Sequence, residues 1–212
     1  MPGKKKQLDI CAECKRASRP AIHAAKLGHT KCLTTAYREL GVFNERDNFG
    51  ATPIHFAARF GQLECLKWLV TRSGVSPNAV TRTGATAAHD AAATGHLNCL
   101  EYLLKNTKCD VRDTTSEGAT VLHLACSFGR IEVVKWLIDY LGSSPSEKGA
   151  NNVTPVHLCA AKSKLSCRKG AGLGSSMVCT ISVDLCMTIQ GVRPSLCGTD
   201  HIKMTLFFSL IY

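Results

Sequence analysis

One short phrase recurs along this chain at a fixed spacing, and that spacing limits what the chain can fold into. Gly50-Ala-Thr-Pro-Ile-His55, Gly84-Ala-Thr-Ala-Ala-His89 and Gly118-Ala-Thr-Val-Leu-His123 are followed by a weaker copy, Asn152-Val-Thr-Pro-Val-His157. The histidines stand at 55, 89, 123 and 157, a constant period of 34 residues. Each of the first three phrases runs on into a small-residue pair and a glycine: Ala57-Ala58 to Gly61, Ala91-Ala92 to Gly95, Ala125-Cys126 to Gly129. A unit of this size cannot bury its apolar face alone, so a constant period in this range implies units stacked in a line.

The phrase has a mechanical reading. Thr52 suits a helix N-cap, where its hydroxyl takes an otherwise unpaired backbone N–H. Pro53 suits the first helical position, where a missing N–H costs little. The alanine pairs let neighbouring inner helices approach closely, and the glycines allow a sharp turn into a second helix. That helix carries apolar residues at helical spacing: Leu63, Leu66, Leu69 and Val70, then Leu97, Leu100, Leu103 and Leu104, then Ile131, Val134, Leu137 and Ile138.

These words resemble ankyrin repeats, whose usual period is about 33 residues. The resemblance implies an all-α ankyrin-repeat solenoid of helix-turn-helix units joined by β-hairpin-like fingers. The first repeat, about 19–48, lacks the Thr-Pro start and reads as an N-terminal cap. Repeats two to four cover about 49–82, 83–116 and 117–150. A fifth begins at Thr154 and stops after Lys162. The organisation expected is a basic disordered arm over 1–18, a repeat domain over 19–162 and a non-repeat, disordered tail over 163–212. A truncated fifth repeat also predicts that the repeat-four face carrying Ile131, Val134, Leu137 and Ile138 is partly exposed and that the chain frays from its C-terminus.

The chain carries a net charge of +10. Lys4, Lys5, Lys6, Lys15, Arg16 and Arg19 crowd its start. Such an arm suits an acidic lipid, nucleic acid or protein surface, or is simply solvated. No aromatics interleave with the charges, so no specific nucleic-acid binding is expected. The basic start leads into no apolar core of a secretory signal. The longest apolar stretch, Met204–Tyr212, is far short of the roughly 20 residues that cross a bilayer. No membrane span is expected. Twelve cysteines without a secretory signal suggest reduced thiols in the cytosol or nucleus, and a cytoplasmic setting is expected. Cys11-Ala-Glu-Cys14 is a C-x-x-C, but a structural zinc needs four ligands and no second pair has matching spacing. Cys32, Cys65 and Cys99 each follow a turn glycine by four residues, and Val133 takes that place after Gly129. A cysteine that exchanges with valine at one core position acts as a small hydrophobe. No metal site and no cofactor are expected.

His55, His89, His123 and His157 form a ladder, one per repeat, whereas catalytic groups converge on one locus. They read as helix-start residues bonding the cap threonines, and the chain as no enzyme. Positions where the repeats differ are more informative. In the ankyrin fold the finger tips and the ends of the inner helices face the binding groove. That selects Asn48 and Phe49, Arg82 and Thr83, Ser116 and Glu117 at the tips. It selects Leu27, Arg59 with Phe60, Thr94, and Phe128 before the turn glycines. Aromatics flanked by arginine are typical of binding hot spots. The other reading of these rings is ordinary packing on a neighbouring finger.

The central block resembles the N-terminal ankyrin array of the espins, actin-bundling proteins of cell protrusions. The matching words are Gly84-Ala-Thr-Ala-Ala-His-Asp-Ala-Ala-Ala-Thr-Gly-His-Leu-Asn-Cys-Leu100 and Gly118-Ala-Thr-Val-Leu-His-Leu-Ala-Cys-Ser-Phe-Gly129, then Glu132-Val-Val-Lys-Trp-Leu137. His89-Asp90 is the distinctive pair, which adds Asp90 to the expected contact residues. The resemblance implies the family's ankyrin role: a monomer that binds a cytoskeletal peptide, such as a class III myosin tail, in actin-rich protrusions. The proline-rich and bundling segments of espins do not follow here, so bundling is not expected. The alternative is a generic signalling or nuclear adaptor targeted by its basic arm.

Overall fold

The computed structural model describes residues 10–40, 45–149, 152–155 and 157–159. Among the described residues the helices are α1 (Ala12–Arg16), α2 (Pro20–Leu27), α3 (Thr30–Leu40), α4 (Pro53–Arg59), α5 (Leu63–Arg72), α6 (Ala87–Thr94), α7 (Leu97–Asn106), α8 (Val121–Ser127) and α9 (Ile131–Leu141). Each repeat is a helix pair: α2 packs on α3, α4 on α5, α6 on α7 and α8 on α9. The inner helices α2, α4, α6 and α8 stack in sequence order, and α5 packs between α3 and α7.

Alanine pairs make the close stacking possible. Ala57, Ala58, Ala91 and Ala92 are fully buried between inner helices. The outer helices fill the remaining core with Leu33, Leu66, Leu69, Leu100, Leu103 and Leu137. Cys65 and Cys99 lie among them, and burial pushes each thiol up to about 11. These two are the small hydrophobes that the register suggests.

The fingers are turns, with no strand among the described residues. Each is closed by the same backbone bond one period apart: Asp47 N–H to Ala51 O, Thr81 to Ala85, Thr115 to Ala119 and Gly149 to Val153, at 2.8–2.9 Å. Successive tips join through Arg82 N–H to Phe49 O at 2.8 Å and Ser116 N–H to Thr83 O at 2.9 Å. The β-hairpin-like character therefore reduces to one bond between neighbouring tips.

Three expectations change. First, residues 12–16 form α1, which packs on α2 and buries Cys14 completely, so the folded array starts before residue 19. The short helix forms because Cys11 caps it. Second, α2 lacks a cap threonine, and Glu45 from the following finger supplies the cap. Its carboxylate accepts from the N–H groups of Ala21 and Ile22 at 3.1 Å. Third, of the repeat-four face Ile131 and Ile138 are half-buried as expected, whereas Val134 and Leu137 are fully buried in the core cluster. What α9 leaves exposed is Tyr140 and the edge of Leu141. The expected tail over 163–212 and residues 1–9 of the arm lie outside the described residues.

Candidate functional site

The surface that varies from repeat to repeat consists of two rows. The first is made of inner-helix ends. Leu27 closes α2, and Phe60 and Phe128 are the C-caps of α4 and α8. They are 38, 41 and 51 % exposed. Thr94 holds the equivalent place on α6, where its hydroxyl donates to Asp90 O at 2.8 Å. The second row is the tips. Phe49 is 71 % exposed, and Asn48, Arg82, Thr83, Ser116 and Glu117 are exposed with it.

Cations flank the first row. Lys26 Nζ lies 5.1 Å from the centre of the Phe60 ring, a contact that sequence spacing did not suggest. The Arg59 guanidinium lies 5.4 Å from the Phe56 ring, and its Nη2 donates to both Asp90 oxygens, at 3.0 and 3.1 Å. Burial pushes the Asp90 carboxyl up, against the pull of Arg59 and of the neighbouring histidines. Asp90 thus ties α6 to α4 and holds Arg59 beside Phe56 rather than standing free at the surface. At the tips, Asn48 Oδ1 accepts from Arg19 at 3.0 Å, and Thr83 bonds Thr81 at 2.9 Å. The row is therefore apolar side chains bordered by positive charge.

The histidine ladder has a different task. His55 Nδ1 meets the Thr52 hydroxyl at 2.9 Å and accepts from the Thr52 N–H at 3.2 Å, while its Nε2–H donates to Ala85 O at 3.1 Å. His89 repeats this with Thr86 and Asp113 O, and His123 with Thr120 and Val153 O. Each ring completes a capping box and also ties its helix to the next finger. The threonine's firm bond is to the ring, and its approach to the helix amide is looser than in an ordinary cap. Burial lowers the pKa of His55 and His89, which holds both rings neutral. The imidazoles are spent on structure, one repeat apart.

The reading of Cys11-x-x-Cys14 as a pair without partners does not hold. The fold brings His29 and Cys32 beside it, and the four ligand atoms lie within 4.8 Å of one another. Cys11 accepts from the Cys14 N–H, which holds its thiol down to about 7, whereas burial pushes Cys14 up to about 12. The legible signal was His29-x-x-Cys32, the second half of a C-x-x-C…H-x-x-C pattern. It was hidden because Cys32 shares its register with Cys65 and Cys99.

No helix among the described residues is long and apolar enough to cross a membrane. The family model for ankyrin repeats (three copies) matches overlapping stretches at residues 5–81, 21–114, 71–149 and 107–169. No curated protein matches the chain.

Proposed function

The chain belongs to the ankyrin-repeat family, and from that premise we propose that it binds a peptide of a cytoskeletal protein along the row Leu27, Phe60 and Phe128. Ankyrin repeats are typically non-catalytic modules that mediate protein–protein interaction, which supports this reading. The carrying observation is the row itself: large apolar side chains kept at the surface at one register of three of the four inner helices, α2, α4 and α8, with Thr94 at that place on α6. Lys26 and Arg59 border it, which favours a partner segment with apolar anchors and acidic neighbours. The tips at Phe49, Arg82, Thr83, Ser116 and Glu117 would line its other side.

The espin-like words, His89-Asp90 above all, lead us to propose a class III myosin tail as the partner. They favour a monomer in the cytoplasm, associated with actin-rich protrusions. Titration of such a tail peptide into the chain tests this. Phe60→Ala with Phe128→Ala should weaken binding roughly 30-fold or more, the loss expected when hot-spot side chains are truncated. Unchanged affinity would remove the row from the site.

The second reading, an adaptor targeted by its basic arm, is favoured by Lys4, Lys5 and Lys6 in a chain of net charge +10. It predicts binding that collapses in high salt and ignores both phenylalanines.

A further inference from the structure

We propose that Cys11, Cys14, His29 and Cys32 form a structural zinc site that closes the N-terminal end of the array. The donor set is three thiols and one imidazole, with spacing C-x2-C-x14-H-x2-C. Thiolate and imidazole are the ligands of tetrahedral structural zinc, with bonds of about 2.3 and 2.0 Å. Such bonds set a sulfur and a nitrogen about 3.6 Å apart across a tetrahedron. His29 Nδ1 stands 3.4 Å from Cys11 Sγ and 3.5 Å from Cys14 Sγ. All four ligand atoms fall within 4.8 Å of one another, so small movements would complete the shell.

The surroundings suit charged ligands. The Cys14 N–H points at Cys11 Sγ at 3.5 Å, and the Cys11 N–H at Cys32 Sγ at 3.4 Å. Amides directed at thiolate sulfur are the outer-shell contacts that orient such ligands. His23 Nδ1 lies 3.8 Å from Cys14 Sγ and is placed to support that sulfur from outside the set of four. Cys11, Cys14 and Cys32 form no disulfide, so none competes for these atoms. The cluster borders an open depression lined by Ile10, Gly28, Thr30 and Lys31, which gives an ion a way in.

Its position explains why the site occurs once among the described residues. In each later repeat, the residue after the turn glycine lies against the turn of the repeat before it. Gln62 lies against Gly28, His96 against Gly61 and Arg130 against Gly95. His29 has no earlier repeat to meet, and it turns instead to the two thiols of the segment that covers α2. His96 and Cys99 repeat the H-x-x-C pair without those thiols. Four protein ligands fill a tetrahedron and leave no place for substrate, so the site's task is to fasten α1 to the turn between α2 and α3. Metal uptake would release the thiol protons.

The full 212-residue chain, reduced and stripped of metal, is titrated with cobalt(II) alone. The expected result is one ion per chain, with the absorption of a tetrahedral thiolate complex that zinc then abolishes. Cys11→Ser and His29→Ala should each weaken binding by ~100-fold or more, and His23→Ala by ~10–100-fold. His96→Ala should bind as the parent does. A measurement on the parent chain needs no variant to fold: alkylation of Cys11, followed by mass spectrometry, should be suppressed by zinc and restored by chelation. Absence of the tetrahedral spectrum, equal alkylation of Cys11 with and without zinc, or undiminished binding by Cys11→Ser would overturn the site.

Discussion

Repeats one and three carry almost the same turn, Gly28-His-Thr-Lys-Cys32 and Gly95-His-Leu-Asn-Cys99. In repeat three the histidine lies on Gly61 of the repeat before, and the cysteine is a buried apolar contact. In repeat one the same two residue types stand in a four-donor cluster with Cys11 and Cys14. The difference is not in the words but in what is stacked against them. In a solenoid each unit's stability and chemistry depend on its nearest neighbours, and an end unit has only one.

The largest expected effect separates middle from end. Leu33 and Leu100 hold equivalent places in α3 and α7, and both are fully buried. Leu100→Ala should cost about 4 kcal/mol and Leu33→Ala about 2 kcal/mol, because the end repeat can relax around the cavity. Urea midpoints at constant slope measure both, and equal losses would break the comparison.

Turn glycines sharpen it next. Gly61 and Gly129 share nearly the same left-handed backbone, φ 70° and 67°. A Cβ at Gly61 would meet the His96 ring at 2.6 Å, whereas one at Gly129 meets no described residue within 4 Å. Gly129→Ala should cost about 1–2 kcal/mol for conformation alone. Gly61→Ala should cost more, since a neighbouring repeat must also shift.

Acid acts on the middle repeats. The His55 and His89 pKa values are lowered by burial, so the unfolded chain takes up protons first as pH falls. Stability is full above about pH 6.5 and should decline below it. Asp90 lies beside both rings, and its raised pKa works in the opposite sense at lower pH. Thermal midpoints across pH 7.5 to 5 should therefore fall, and His89→Gln should flatten the slope.

Smaller still, Thr86→Ala removes a cap and the hydroxyl bonded to His89 at 2.9 Å. It should cost about 1 kcal/mol. Phe60→Ala and Phe128→Ala should change stability by no more than about 0.5 kcal/mol, as exposed side chains do. A larger loss would mean that these rings serve packing rather than a partner.

The helix pairs were legible because the Gly-Ala-Thr phrase encodes cap, helix start and turn locally. The ladder of ring-to-cap bonds was legible for the same reason. The exposed row was legible only by comparing repeats, since Leu27, Phe60 and Phe128 differ where the rest agree. Three features were hidden because they depend on residues far apart in sequence. Glu45 caps α2 from the next finger, Asp90 is claimed by Arg59 one repeat earlier, and the Cys11 pair meets His29 and Cys32 only once α1 has docked. The burial of Val134 and Leu137 was not legible because it depends on packing in one core cluster that also takes in Cys126 of α8 and Cys159.

Residue-resolved hydrogen exchange tests most directly the claim that neighbours set each repeat's stability. Repeat three is flanked on both sides, so amides of α6 and α7 should exchange more slowly than their counterparts in α8 and α9. Equal protection across the two repeats, or slower exchange in α9 than in α7, would contradict it.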